Sequence, residues 1–297
     1  MSDGNSTMPD TLRQCRVGII GLGLMGGSLA LALRGQCRSI SGYDVDPEAI
    51  AQAIEHGIID RPIDVRGDEV DLVILAAPVS AILDWIDRAP QVFSGKFHLL
   101  DLGSTKTLIA ERMRTLPDRI SPLGGHPMCG KETSGLGVAD GAMYHGCLFV
   151  LTPLVRTPRS TLNIALELTA TLQARALLLD PHQHDRAVAV ISHLPYLLAS
   201  TLIDVARDAE DDVTWTLAAS GFRDTSRLAA SDVTMLLDIL KSNRAEVLTA
   251  LAGAQSSLQA TIDLIEREEW LELRAKLDAA REKRKWWENA KRVTSNE

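Results

Sequence analysis

The residues most able to do chemistry begin with Gly21-Leu22-Gly23-Leu24-Met25-Gly26, which follows the apolar run Arg16–Ile20. Between a strand and a helix, three glycines at this spacing permit a tight turn, a close backbone approach to a pyrophosphate, and close helix–strand packing. The helix N-terminus then offers free N–H groups to the phosphates. Asp44 ends the next apolar run, where a carboxylate takes the adenosine ribose hydroxyls and repels a 2′-phosphate. The turn and Asp44 together predict NAD rather than NADP. Ala77 and Pro78, after the third apolar run, and Ser104 complete the candidate cofactor contacts.

Asp101-Leu-Gly-Ser104-Thr105-Lys106 ends a fourth apolar run. Ser104 and Thr105 there either cap the following helix or face a ligand at the C-terminal strand edge. In Gly124-Gly-His126-Pro-Met-Cys-Gly130-Lys131-Glu132, a histidine set between glycines and a proline sits on a rigid loop, fixed and accessible as a general base must be. His193 stands early in a helix, where a buried histidine is the ordinary case. Arg227, in the polar segment Gly221–Arg227, either binds a carboxylate bidentately or pairs with Asp224. His182-Gln-His184-Asp185 has no third or fourth ligand at a recognisable spacing, so it reads as a polar loop, and no metal is expected.

The elements that must position these residues alternate. Short strands at 16–20, 40–43, 72–76, 99–102, 120–123, 148–151 and 176–179 are separated by helices near 24–33, 47–56, 79–88, 106–115 and 160–173. That rhythm predicts a Rossmann-type, doubly wound parallel sheet with helices on both faces. From Asp185 onward strand-like runs cease, and residues 186–207, 213–219, 231–243, 245–268 and 270–291 read as helices. The chain therefore divides near Pro181. Residues 1–180 form the nucleotide domain, with 1–14 as a disordered tail, and 181–297 form an all-helical domain that supplies a wall of the site and a dimer surface.

A net charge of -8 argues against nucleic acid as the main partner. The four cysteines show no CxxC pair, as expected of a reduced cytoplasmic chain. Val17–Leu33 is uncharged but broken by glycines, so a strand, turn and buried helix explain it better than a membrane span, and no membrane partner is expected.

In order along the chain, the segments 21–29, 101–106, 124–128, 192–196 (Ser-His-Leu-Pro-Tyr) and 221–227 (Gly-Phe-Arg-Asp-Thr-Ser-Arg) resemble the prephenate/arogenate dehydrogenases of tyrosine biosynthesis. The resemblance implies that His126 is the catalytic base toward the substrate's ring hydroxyl, that Ser104 contacts the same hydroxyl, and that Arg227 binds a substrate carboxylate. His193 would line the same pocket, with Lys131 and Glu132 counted among the substrate contacts. Glu132 either partners an arogenate amine or is a surface charge, and prephenate is the preferred substrate. The resemblance also implies a homodimer through the C-terminal helices and no mutase or regulatory domain. Some relatives carry a tryptophan after the arginine segment, where this chain has Met235-Leu236-Leu237. Two other readings compete: a 3-hydroxyacid-type dehydrogenase, which leaves the His-Pro-Met loop without a task, and a non-catalytic NAD sensor, which needs neither a base nor a carboxylate clamp.

Overall fold

The computed structural model describes residues 8–9, 11–130, 133, 135–209 and 212–295. Its first part alternates β1 (Arg16–Ile20), α1 (Leu24–Leu33), β2 (Ser39–Tyr43), α2 (Pro47–Glu55), β3 (Arg61–Pro62), β4 (Leu72–Leu75), α3 (Val79–Val92), β5 (Phe97–Asp101), α4 (Thr107–Met113), β6 (Ile120–Pro127), β7 (Leu148–Thr152), α5 (Arg159–Thr171) and β8 (Arg175–Leu178). The strands form one sheet in the order β3-β2-β1-β4-β5-β6-β7-β8. Strand order reverses between β1 and β4, which opens the crevice where such sheets bind ligands, at the carboxyl ends of the strands.

The sheet is apolar on both faces because helices cover both. Val17 and Ile19 of β1 pack with Leu29 and Leu33 of α1 and Ile164 and Leu168 of α5. Ile20, Val73 and Leu75 turn the other way, toward Ile82 and Ile86 of α3 and Ile109 and Met113 of α4. The short strand β3 was not expected, because Arg61-Pro62 carries no apolar signal. Two strand directions also depart from the all-parallel expectation: β7 pairs antiparallel with β6, with His126 opposite Val150, and β8 runs parallel to β7. Apolar patterning cannot distinguish the two directions. β6 runs on through Gly124-Gly-His126-Pro127, so His126 sits at the end of a paired strand rather than on a loop.

Residues 11–14, expected in the disordered tail, are ordered. Leu12–Gln14 is a short 3₁₀ helix, Leu12 is buried, and its N–H donates to the Glu167 carboxylate at 2.7 Å. Methionine 1 to Thr7 and Asp10 lie outside the described residues.

The helical part begins with α6 (Pro181–Val188), a π-helical turn (Ala189–His193) and α7 (Leu194–Asp208), followed by α8 (Asp212–Leu217), α9 (Ser220–Ser226), α10 (Val233–Ser242), α11 (Arg244–Glu266) and α12 (Trp270–Ser295). His182–Asp185 is therefore helical and not a loop. Asp180 caps it by accepting from the N–H groups of His182 and Gln183, and Pro181 takes the first helical position. The polar segment 221–227 is helical as well, and Arg223 forms an ion pair with Asp224. Within the continuous 28-residue helical stretch Pro181–Asp208, an 18-residue window has a mean hydropathy of 1.6, long and apolar enough to cross a membrane by length and composition. Its first turns bury His184 and Asp185, and its π turn ends on buried His193.

By contacts, residues up to Arg244 group with the sheet, and Ala245–Glu297 form a second unit. Four hydrogen bonds tie the start of the helical part to the sheet. Ser80 N–H donates to Asp238, Thr105 Oγ1 donates to Ser242 Oγ, Lys106 N–H donates to Asp185, and Asn243 Nδ2 donates to the Asp185 carbonyl. Within the second unit, Lys276 of α12 donates to the Ser257 carbonyl of α11 at 2.6 Å.

Candidate active site

The glycine turn joins β1 to α1 at the sheet's carboxyl edge. Gly21 holds φ +92°, and a Cβ at Gly26 would lie 1.8 Å from the Gly21 carbonyl oxygen. Gly26→Ala must therefore push turn and helix apart, and it is expected to destabilise the chain by about 1–3 kcal/mol in chemical unfolding. A variant as stable as the parent would remove the packing role assigned to Gly26. Gly23 differs: nothing lies within 4 Å of where its Cβ would be, and as N-cap of α1 it offers no side-chain cap. The space beside Gly23, at the N-terminus of α1, is thus open, which a pyrophosphate fits. Asp44 ends β2 beside the turn, and its carboxylate accepts from Leu22 N–H at 2.7 Å and Asp46 N–H at 3.0 Å. These residues fit a dinucleotide whose ribose reaches Asp44. Ala77 and Pro78 follow β4 at the same edge, between β1 and β5.

Two strands further along, half-buried His126 turns Nδ1 to Nε2 of His184 at 2.8 Å, with the rings edge-on. His184 Nδ1 meets Asp185 Oδ1 at 2.8 Å, and both residues are buried. The Asp185 carboxylate also accepts from the backbone N–H groups of Lys106 and Thr107, each at 2.8 Å. Burial alone would push this carboxyl up, but the bonds from His184, Thr107 and Lys106 outweigh it and hold the group below the usual carboxylate range, ionised. Burial drives the His126 imidazole well below its ordinary pKa, and His184 and Lys106 add to the fall, so at neutral pH the ring is an uncharged acceptor.

Beneath this chain lies a buried ion pair. The Lys106 ammonium contacts the Asp101 carboxylate and donates to the Gly125 carbonyl at 2.6 Å, one residue before His126. Asp185, not Ser104 or Thr105, caps α4. Thr105 is turned to Ser242, while half-buried Ser104 makes no side-chain hydrogen bond among the described residues. His193 is buried, its Nδ1 lies 3.4 Å from Asn243 Nδ2, and burial pulls its pKa down to about 4.

The structure thus brings His126 and His193 into one electrostatic neighbourhood with Asp185 and His184, and places Ser104 on the connection leaving β5. Arg227 is exposed at the start of a 3₁₀ helix (Arg227–Ala230). Lys131 and Glu132 lie outside the described residues. Sequence reasoning missed His184, Asp185 and Asn243. The Asp180-Pro181 pair was an available signal, since a cap followed by proline announces a helix, on which His184 and Asp185 become candidates for one buried face.

Residues 29–178 match the family described as "Prephenate dehydrogenase, nucleotide-binding domain", and residues 180–279 match "Prephenate dehydrogenase, dimerization domain". The prephenate dehydrogenase of Bacillus subtilis (strain 168) is 33% identical over 241 residues, which is 77% of this chain and 64% of that relative. The chain thus spans just under two-thirds of that protein's length. Among solved structures, Aquifex aeolicus prephenate dehydrogenase, crystallised with hydroxyphenyl propionate and NAD+, is 31% identical with a TM-score of 0.84, covering 91% of this chain and 96% of that one. Synechocystis arogenate dehydrogenase is 28% identical with a TM-score of 0.80, covering 92% of this chain and 99% of its own.

Proposed function

The chain belongs to the prephenate/arogenate dehydrogenase family, and from that premise we propose that it is an NAD-dependent prephenate dehydrogenase, converting prephenate to 4-hydroxyphenylpyruvate with loss of carbon dioxide. One observation carries the reading: His126 stands at the carboxyl edge of the sheet with Nδ1 bound to His184 and no protein partner on Nε2 among the described residues. That leaves an uncharged, held imidazole nitrogen for a substrate hydroxyl.

Bound NAD supplies the hydride acceptor at C4 of the substrate ring. His126 Nε2 accepts the hydroxyl proton as the ketone forms, and Ser104 orients the same hydroxyl. The ketone is then conjugated to the carbon bearing the ring carboxylate. That carbon–carbon bond breaks, carbon dioxide leaves, and the electron pair stays in the ring, which becomes aromatic. Arg227 holds a substrate carboxylate and His193 lines the pocket. A net charge of -8 makes a local cation necessary for a dianionic substrate.

The enzyme is proposed to work in the cytoplasm, in keeping with four free cysteines, and as a homodimer. The match to a dimerization domain supports the dimer, as do exposed Val190, Ile191, Leu198 and Val205 on the helical segment. The likeness to an arogenate dehydrogenase favours arogenate as the second substrate to assay. The test offers prephenate and arogenate with NAD and with NADP to the purified protein. Fastest turnover with prephenate and NAD is expected, and turnover of neither substrate refutes the reading. Preference for NAD is assigned to Asp44. Asp44→Asn is expected to raise KM for NAD by about tenfold to hundredfold, the worth of a charge-assisted hydrogen bond, and to narrow the margin over NADP. An unchanged NAD/NADP ratio would remove Asp44 from that role.

A further inference from the structure

We infer that His184 and Asp185 are positioning residues for His126: the Asp185 carboxylate sets the tautomers of two imidazoles in series and shares the proton that His126 takes from the substrate. The inference rests on the proposed function for what His126 does, and on the geometry for how it is prepared.

The chain has one consistent set of protons. Asp185, ionised, only accepts, so the 2.8 Å bond to His184 Nδ1 requires the proton on that nitrogen. With its proton on Nδ1, His184 offers Nε2 as the acceptor, and the 2.8 Å bond to His126 places the proton on His126 Nδ1. His126 Nε2 is left bare, its lone pair on the ring position that has no protein partner among the described residues. Without the carboxylate, either ring can hold its proton on the other nitrogen, and the base is lost in that fraction of molecules. The carboxylate itself is fixed from every side. Lys106 N–H and His184 hold Oδ1, Thr107 N–H holds Oδ2, and Asn243 holds the Asp185 carbonyl.

The same bonds carry the proton afterwards. When Nε2 takes the hydroxyl proton, the Nδ1 proton moves to His184 Nε2. The His126–Nδ1 bond to hydrogen breaks, a His184–Nε2 bond forms, and the positive charge comes to rest beside Asp185 instead of beside the buried Lys106 ammonium. The groups facing His126 are His184, Lys106, Asp185 and His193, and Asp185 is the one anion among them. Asp101, the other carboxylate nearby, is taken up by Lys106.

Two variants test this. Asp185→Asn removes the charge. His184→Gln can still accept from His126 Nδ1 but cannot hold a second proton, and it leaves the carboxylate and its capping bonds in place. Both are expected to lower kcat by about tenfold to hundredfold, as loss of an orienting partner does, with KM for prephenate within about threefold, and Asp185→Asn, which removes the one anion facing His126, is expected to move the acid limb of the kcat/KM profile to lower pH. NAD binding and the melting temperature report whether each variant is folded, and His184→Gln decides the matter if Asp185→Asn does not fold. Wild-type kcat in a folded His184→Gln overturns the inference, and so does an unmoved acid limb in a folded Asp185→Asn. A wild-type enzyme that turns over neither substrate overturns the functional reading instead, so the two failures are distinguishable.

Discussion

Replacement of His126 by asparagine is expected to lower kcat for prephenate by about 10²–10⁴-fold, the range that a positioned general base contributes. Asparagine keeps a polar group near His184 but has no lone pair basic enough to take the hydroxyl proton. The substrate carboxylates are assigned to other residues, so KM should change far less than kcat. The wild-type pH profile carries the same signature. His126 must be neutral to accept, and burial together with His184 and Lys106 holds its pKa well below the ordinary value of about 6.5. The rate is therefore expected to stay level as pH falls through that value and to drop only below it. An acid limb at or above the ordinary value, or a His126→Asn enzyme with wild-type kcat, would remove the base assignment.

Lys106→Met is expected to destabilise the chain by about 3–5 kcal/mol, because it strands a buried carboxylate. The side chains of Lys106 and Asp101 are both fully buried. Burial pushes the Asp101 carboxyl up and the Lys106 ammonium down, so each charge persists through the other. Gly103 N–H gives Asp101 Oδ1 one further bond at 2.8 Å, whereas Oδ2 has none. The Lys106→Met, Asp101→Asn double variant should lose less than the Lys106→Met single, because no charge is then left unpaired. Denaturant unfolding of the single and double variants measures this. A double variant that loses the sum of the two single losses would show that the pair is not coupled. The pair also bears on the site, since Lys106 holds the Gly125 carbonyl directly before His126 and gives its own N–H to Asp185.

The nucleotide half was legible because its signals are local. Gly21 and Gly26 are glycine for reasons of φ and close approach, and the apolar runs feeding them are strands whichever way the chain turns later. Strand direction was not legible: β7 is as apolar as the mutually parallel strands β4 and β5. His126 was found from its own neighbours in sequence. His184 and Asp185 were not, because their burial depends on α6 lying against β6 and the start of α4, contacts made between residues 58 and 79 positions apart. The polar look of His182-Gln183 hid a helix with two faces, one in solvent and one in the site. Residues 221–227 misled for a related reason: a glycine and five polar side chains read as loop, yet Phe222 meets Trp215 edge-on at 5.9 Å between ring centroids, a contact from outside the segment.

The most direct measurement follows NADH and carbon dioxide together while the purified protein consumes prephenate in the presence of NAD. Equimolar NADH and carbon dioxide, with 4-hydroxyphenylpyruvate as the product, is the expected result. NADH formed without carbon dioxide, or no NADH from either prephenate or arogenate, would contradict an oxidative decarboxylation begun by His126.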